Sequence, residues 1–267
     1  MKSVCELMDL RGRVALVTGG AGAIGSAICD ALAELGSHIV ILDIDESVCQ
    51  AAAKRLRDVC DVDVLPMAQN LTDERAMRLI PEQILKHLGR LDILVHCAAF
   101  IGESSLKGWV TPFEEQSLDT WRQAMEVNLN APFVLTQACT PALSNSGHGV
   151  VINIGSIYGM VGPDMHLYED TTLGNPAAYA ASKGGLLQFT RWLATVLAPK
   201  VRVNAISLGG IRRRQPEVFQ KRYVSKTPLN RMATEEDIKG AVGYLASDLS
   251  AYVTGHNLVV DGGWTAW

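Results

Sequence analysis

TGGAGAIG, residues 18–25, decides the fold. It follows the apolar run RVALV, residues 13–17, short enough for a buried strand. It opens AIGSAICDALAELG, residues 23–36, whose apolar positions recur at helical spacing. A glycine-rich turn from strand to helix lets backbone N–H groups and the positive helix end face a pyrophosphate. Tight turns use glycine everywhere, so the cluster alone says little. Here a second strand-like run, HIVILD, ends in Asp43. An acidic side chain there can accept hydrogen bonds from an adenosine ribose diol and repel a 2′-phosphate. Strand, loop, helix and acidic strand end together point to dinucleotide binding.

Further along, the run YAASK places Tyr179 and Lys183 four residues apart, and the strand-like stretch VVINIGS ends at Ser156. On a helix, positions i and i+4 share one face. A phenol near its ordinary pKa of about 10 is a poor base, so a neighbouring Lys183 cation is expected to depress the pKa of Tyr179.

These pieces resemble the compact, single-domain branch of the short-chain dehydrogenase/reductase family. The resemblance runs from about Leu10 to Trp264 and rests on TGGAGAIG, the Asp43 strand, VNLNAPF around Asn128, INIGS, YAASK, RVNAISLGGI and YVTGHNLVVDGGW. It implies Ser156, Tyr179, Lys183 and Asn128 as the catalytic set. Tyr179 would be the general acid/base and Ser156 a second hydrogen bond to the substrate oxygen. Lys183 would also hold the nicotinamide ribose, and Asn128 would position Lys183 through a water. The implied cofactor is NAD, held by Gly19, Gly22, Ala23 and Ile24 of the loop, by Asp43 and Ile44, by Asn70 and Leu71, by Ala98, by Gly209 and Ile211, and by Tyr179 and Lys183. Asn70 stands where the family usually has Asp, and its carbonyl oxygen can still accept a hydrogen bond from an adenine amino group.

Three positions depart from the family pattern. Ala23 occupies the place of the middle glycine. HCAA, His96 to Ala99, replaces NNAG; His96 titrates near neutrality in water, yet the slot usually holds a structural Asn, and the structural reading is favoured. Leu208-Gly209 replaces Pro-Gly, which leaves carboxamide contacts to the backbone near Ile211.

The chain has 267 residues, enough for one large α/β domain, and no linker is visible. One domain over residues 1–267, with its core at about 10–264, is expected. Apolar residues make up 48% and aromatics only 6%, which suits parallel strands built from Ala, Val, Ile and Leu. A net charge of −4 gives no footprint for nucleic acid or anionic membrane. Apolar runs fall short of the ~20 residues of a membrane span, and MKSVCELMDLRGR lacks a signal peptide's apolar core. A cytoplasmic protein is expected. Cysteines 5, 29, 49, 60, 97 and 139 show no CxxC or zinc spacing, and the six histidines form no HExxH, so no metal is expected.

Strand candidates are Val14–Thr18, His38–Asp43, Val62–Ala68, Ile93–Cys97, Val150–Ile154, Val201–Ile206 and Leu258–Val260. Helical patterns lie near 24–35, 46–59, 73–88, 118–143, 177–198 and 234–247. Such alternation predicts an α/β fold of the Rossmann type: a doubly wound parallel sheet of about seven strands with helices on both faces.

Ser156 and Tyr179 are 179 − 156 = 23 positions apart, longer than compact family members usually show. The extra stretch MVGPDMHLYEDTTLGNP is polar and aromatic, and its setting is similar to that of the sugar-nucleotide-modifying branch. Loops this long tend to be functional. It points to a sugar-like small-molecule substrate, with His166 a substrate-facing candidate. Arg212, Arg213 and Arg214 follow the sixth strand and suit phosphate or carboxylate recognition; a solvated helix entrance explains them equally well. An NAD-retaining sugar-nucleotide epimerase or dehydratase, or a catalytically silent dinucleotide-binding protein, are the alternatives to a dehydrogenase. The stripe Leu186, Leu187, Phe189, Trp192, Leu193 and Val196 is apolar over more than one helix face, and the resemblance implies a homodimer or homotetramer through this helix, with Trp264 to Trp267 joining the contact.

Overall fold

The structure is a computed structural model that describes residues 1–102 and 105–267. Its centre is a parallel sheet of seven strands: β1 (Val14–Thr18), β2 (His38–Asp43), β3 (Val64–Ala68), β4 (Ile93–His96), β5 (Gly149–Ser156), β6 (Val201–Leu208) and β7 (Asn257–Val260). The spatial order is β3-β2-β1-β4-β5-β6-β7. The chain therefore winds outward from β1 in one direction and then, from β4, in the other. A crevice opens where the winding reverses, outside the carboxyl ends of β1 and β4.

Burial on both faces explains why the strands read as unbroken apolar runs. Along β1, Ala15 and Val17 join one core with Ile28 and Leu32 of α2 (Ala23–Glu34) and Val242 of α9 (Glu236–Ala246). Val14 and Leu16 join the other, with Met77 and Ile84 of α4 (Glu74–Leu88), Leu135 of α6 (Ala131–Asn145) and Leu193 of α7 (Ala177–Leu197). Successive side chains point to opposite faces, so one strand feeds two cores. Pro66 sits within β3, tolerable because β3 is an edge strand.

Local signals set the helix ends. Asp45 caps α3 (Glu46–Val59) by accepting from Val48 N at 3.1 Å, and Asp73 caps α4 from Ala76 N at 3.1 Å. Gly89, at φ +75°, ends α4 in the left-handed conformation.

The expected helix over 118–143 is in fact α5 (Leu118–Met125), a π-helical turn at Glu126–Asn130, then α6. Two helices have no counterpart among the expected elements: α1 (Val4–Met8) and α8 (Glu217–Ser225). The third strand starts at Val64 rather than Val62, while β5 and β6 run on to Ser156 and Leu208.

The stretch between β5 and α7 folds over the sheet end as short 3₁₀ turns at Ile157–Gly159 and Met165–Leu167. Leu167 packs with Phe219 and Tyr223 of α8, and Tyr168, Leu173 and Trp264 border that cluster. Arg222 of α8 reaches Asp170 at 3.3 Å, and Lys226 pairs with Asp164.

Candidate functional site

The glycine loop is built for close backbone approach. Gly19 has φ +64°, and a Cβ there would lie 2.8 Å from Ala98 Cα. A Cβ on Gly25 would lie 1.9 Å from the carbonyl oxygen of Gly19, so only glycine lets α2 start this tightly against the loop. Gly22, the N-cap of α2, makes no side-chain cap, which leaves the first N–H groups of the helix for an anion. Thr18 Oγ1 accepts from Cys97 N and Ala98 N, both at 3.1 Å, and so ties the end of β4 to the loop.

A cleft of about 510 Å³ runs along this edge. It is lined by Gly19, Gly22, Ala23, Ile24, Asp43, Ile44, Asn70, Leu71 and Ala98, all sequence candidates. Gly25, Gln69, Cys97, Ala99, Phe100, Ile101, Val127 and Arg213 complete the lining. The rule that sites lie beyond strand ends could have found the residues that follow β4; Phe100, Ile101 and Val127 carry no sequence signal of their own. Asp43 is held in place as an acceptor, Oδ1 from Ile44 N at 2.8 Å and Oδ2 from Ala21 N at 3.2 Å. The glycine cradle, the free helix N-terminus and the fixed carboxylate fit a nicotinamide dinucleotide.

Some candidates fall elsewhere. Asn70 lines the cleft, but its Oδ1 already accepts from Thr72 N at 2.9 Å and Thr72 Oγ1 at 3.0 Å, so the oxygen expected to read adenine is committed to a turn. Gly209 lines a separate cavity with Tyr223 and Asp261. Ile211 is buried, bridges to Ala233, and its carbonyl accepts from Gln215 Nε2 at 2.8 Å. The carbonyl of Ile211 is thus engaged within its own segment. The His166 side chain is 83% exposed, with Nδ1 3.1 Å from Asp164 Oδ1, and is not among the residues lining the cleft. Arg212 and Arg214 are exposed, and of the three arginines Arg213 lines the cleft.

Ser156, at the end of β5, accepts from Tyr158 N at 3.2 Å through Oγ, which leaves its O–H free to donate. Ser156 lies near enough to the phenol of Tyr179, at the start of α7, to favour its charged form. Lys183 lies one turn on, with Nζ 5.8 Å from the centre of the Tyr179 ring and donating to Ile154 O at 2.9 Å. Burial brings the Lys183 ammonium down to about 8. The expected depression of the Tyr179 pKa is not what the structure gives: burial raises it, and Ser156 pulls the other way. Burial disfavours the charged form of the phenol and of the Lys183 amine alike.

Asn128 sits in the π turn, 1% exposed. Its Oδ1 accepts from Phe100 N at 2.6 Å, and its Nδ2 donates to Phe100 O at 3.2 Å and Ser182 Oγ at 3.0 Å. The extra residue of a π turn re-aims a side chain, and here it ties the Phe100 wall of the cleft to α7. His96 is 3% exposed, with Nε2 2.8 Å from Thr136 Oγ1, and burial brings its pKa down to about 3. It is a neutral structural residue, but its bond runs to α6 and not to a strand backbone.

Comparisons with known proteins agree with this geometry. Residues 19–265 match the family described as Enoyl-(Acyl carrier protein) reductase. The chain is 30% identical over 263 residues to the 3-oxoacyl-[acyl-carrier-protein] reductase FabG of Thermotoga maritima, covering 96% of this chain and 99% of that one. Among solved structures, a short chain dehydrogenase from Leptospira borgpetersenii with bound NAD+ superposes with a TM-score of 0.82 at 32% identity, covering 99% of this chain and 96% of that one. A gluconate 5-dehydrogenase from Burkholderia cenocepacia, in complex with NADP and tartrate, superposes at 0.86 and 28% identity, covering 99% and 100%. The chain belongs to the short-chain dehydrogenase/reductase family, oxidoreductases acting on alcohol and ketone groups.

Proposed function

We propose that the protein transfers a hydride between NAD(H) and a secondary alcohol or its ketone, on a small substrate that is sugar-like or anionic, in the cytoplasm. The observation that carries this reading is the Lys183 ammonium 5.8 Å from the Tyr179 ring, with Ser156 beside the same phenol. When bound, the nicotinamide accepts or supplies the hydride at the substrate carbon. Tyr179 takes the hydroxyl proton as the alcohol is oxidised and returns it as the ketone is reduced, and Ser156 donates a hydrogen bond to the same oxygen. Lys183 stabilises the charge left on Tyr179. Asn128 fixes the cleft wall against the helix that carries both.

Asp43 supports NAD over NADP, because its carboxylate stands where a 2′-phosphate would add like charge and the next residue is the exposed, apolar Ile44. Relatives with either cofactor exist, so the anchored acidic group is the argument. A polyhydroxylated substrate is supported by the insert, whose Tyr168 hydroxyl meets that of Tyr158 at 2.7 Å two residues beyond Ser156. The relative named a gluconate 5-dehydrogenase, with tartrate bound, handles molecules of that kind. Six free cysteines suit a reducing compartment.

Titration with NADH and NADPH, followed by an absorbance screen of hydroxy acids, sugar phosphates and simple ketones, tests the reading. NADH should bind at least about tenfold more tightly, and Tyr179→Phe should lower turnover roughly 10²-fold or more with cofactor affinity nearly unchanged. Tighter binding of NADPH, or near-full turnover by the variant, would overturn it.

A further inference from the structure

The segment after β6 turns at Gly209 and Gly210 and is then pinned on both sides. Ile211 bridges to Ala233, Arg212 N donates to Ala233 O at 2.8 Å, and Arg213 N donates to Gln215 Oε1 at 2.6 Å. The backbone is fixed at Arg213, yet its side chain is 43% exposed and lines the dinucleotide cleft together with the glycine loop. Glu235, just before α9, steadies the guanidinium from outside at 3.3 Å.

Charge makes this placement meaningful. Among the described residues lining the cleft, Arg213 is the one cation and Asp43 the one anion. Asp43 marks the ribose-diol end and Lys183 the reacting end. Burial dominates the Cys97 thiol, and the charges that still reach it are those of Lys183, Asp43 and Arg213. Arg213 therefore shares one cleft with the glycine loop and the uncapped N-terminus of α2.

We propose that Arg213 binds the pyrophosphate of the dinucleotide from the side opposite the glycine loop, so that two phosphates are held between helix amides and a guanidinium. The assignment rests on the dinucleotide reading given above. A guanidinium presents paired N–H donors that match phosphate oxygens, and such charge-assisted bonds are among the strong ones. It also separates Arg213 from its two neighbours in sequence, whose side chains stay in solvent. The triple-arginine run is then no substrate clamp but one cofactor contact flanked by two solvated charges.

Fluorescence titration of the full chain with NADH, NADPH and ADP-ribose tests this, since ADP-ribose keeps the pyrophosphate and lacks the nicotinamide. Arg213→Gln should raise Kd about tenfold for all three alike, reduce the salt dependence of binding, and leave the melting temperature unchanged. Arg213→Lys should fall between, while Arg212→Gln and Arg214→Gln should stay within about twofold of the parent. Parent-like affinity in Arg213→Gln overturns the assignment. So does a loss confined to NADPH, which would place the guanidinium at a 2′-phosphate, or a raised KM with unchanged cofactor Kd, which would make it a substrate contact. A parent chain that binds none of the three ligands would instead overturn the dinucleotide reading itself.

Discussion

Lys183 shows how far a single residue departs from its solution chemistry. It is 3% exposed, its Nζ bonds a backbone carbonyl, and burial brings its pKa to about 8 against an ordinary value near 10.4. Between those values the unfolded chain holds more protons than the folded one, so stability rises with pH across that window. Below pH 8 the penalty of the buried ammonium is fully present. From pH 7 to 9.5 this residue should add roughly 2 kcal/mol of stability, and Lys183→Met should lose that increment. Buried thiols such as Cys97 and Cys139, pushed up to about 12, act in the opposite direction but are common to parent and variant. Urea denaturation of both proteins at the two pH values gives the difference directly. An identical pH dependence in the two would mean that Lys183 titrates normally. The i, i+4 spacing made the Tyr179–Lys183 proximity legible from sequence, but not the sign of the phenol's shift, because desolvation belongs to the packed site and not to the spacing.

At the scale of elements, the loop-to-helix junction was legible because glycine leaves no alternative reading once strand and helix flank it. The structure adds which glycine matters most. A Cβ on Gly25 would meet three backbone atoms of Gly19 and Gly20 at 1.9 to 2.8 Å, and backbone cannot swing aside as a side chain can. On Gly22 the nearest atom would be Gly19 O at 3.3 Å, with φ at −71°. Gly25→Ala should therefore destabilise the fold by roughly 1–3 kcal/mol or more and weaken NADH binding at least about tenfold. Gly22→Ala should keep the parent melting temperature and bind nearly as well. Melting curves and a titration of both variants check this, and a parent-like Gly25→Ala would sink the argument. Other elements escaped the sequence for physical reasons. Helix α8 packs only Phe219 and Tyr223 inward, too few apolar positions to set a period. The π turn at 126–130 keeps helical composition throughout, so only the Asn128 geometry reveals it.

For the whole molecule, the parallel sheet with helices on both faces followed from alternation along the chain, and the surface left over after folding points beyond one protomer. Helix α7 buries Leu186, Leu187 and Leu193 inside, as its apolar stripe requires. Trp192 and Val196 remain 55% and 54% exposed, and Phe133 of α6 is 48% exposed. Phe133, Phe189 and Trp192 form one continuous row, with ring centres 6.0 and 6.3 Å apart. Soluble monomers rarely leave such an aromatic row in water, and a twofold axis lets the same patch cover itself. In the C-terminal tail Trp264 stacks on Tyr223 of the same chain with ring centres 5.9 Å apart, while Trp267 is 83% exposed. The expected state is a dimer or tetramer by light scattering at micromolar concentration. Glutamate at both positions, Trp192→Glu with Val196→Glu, should lower the mass toward that of one chain. These side chains lie more than two turns beyond Lys183 on α7, so cofactor affinity should persist in the variant. A parent that runs as a monomer would remove the need for any partner at this face.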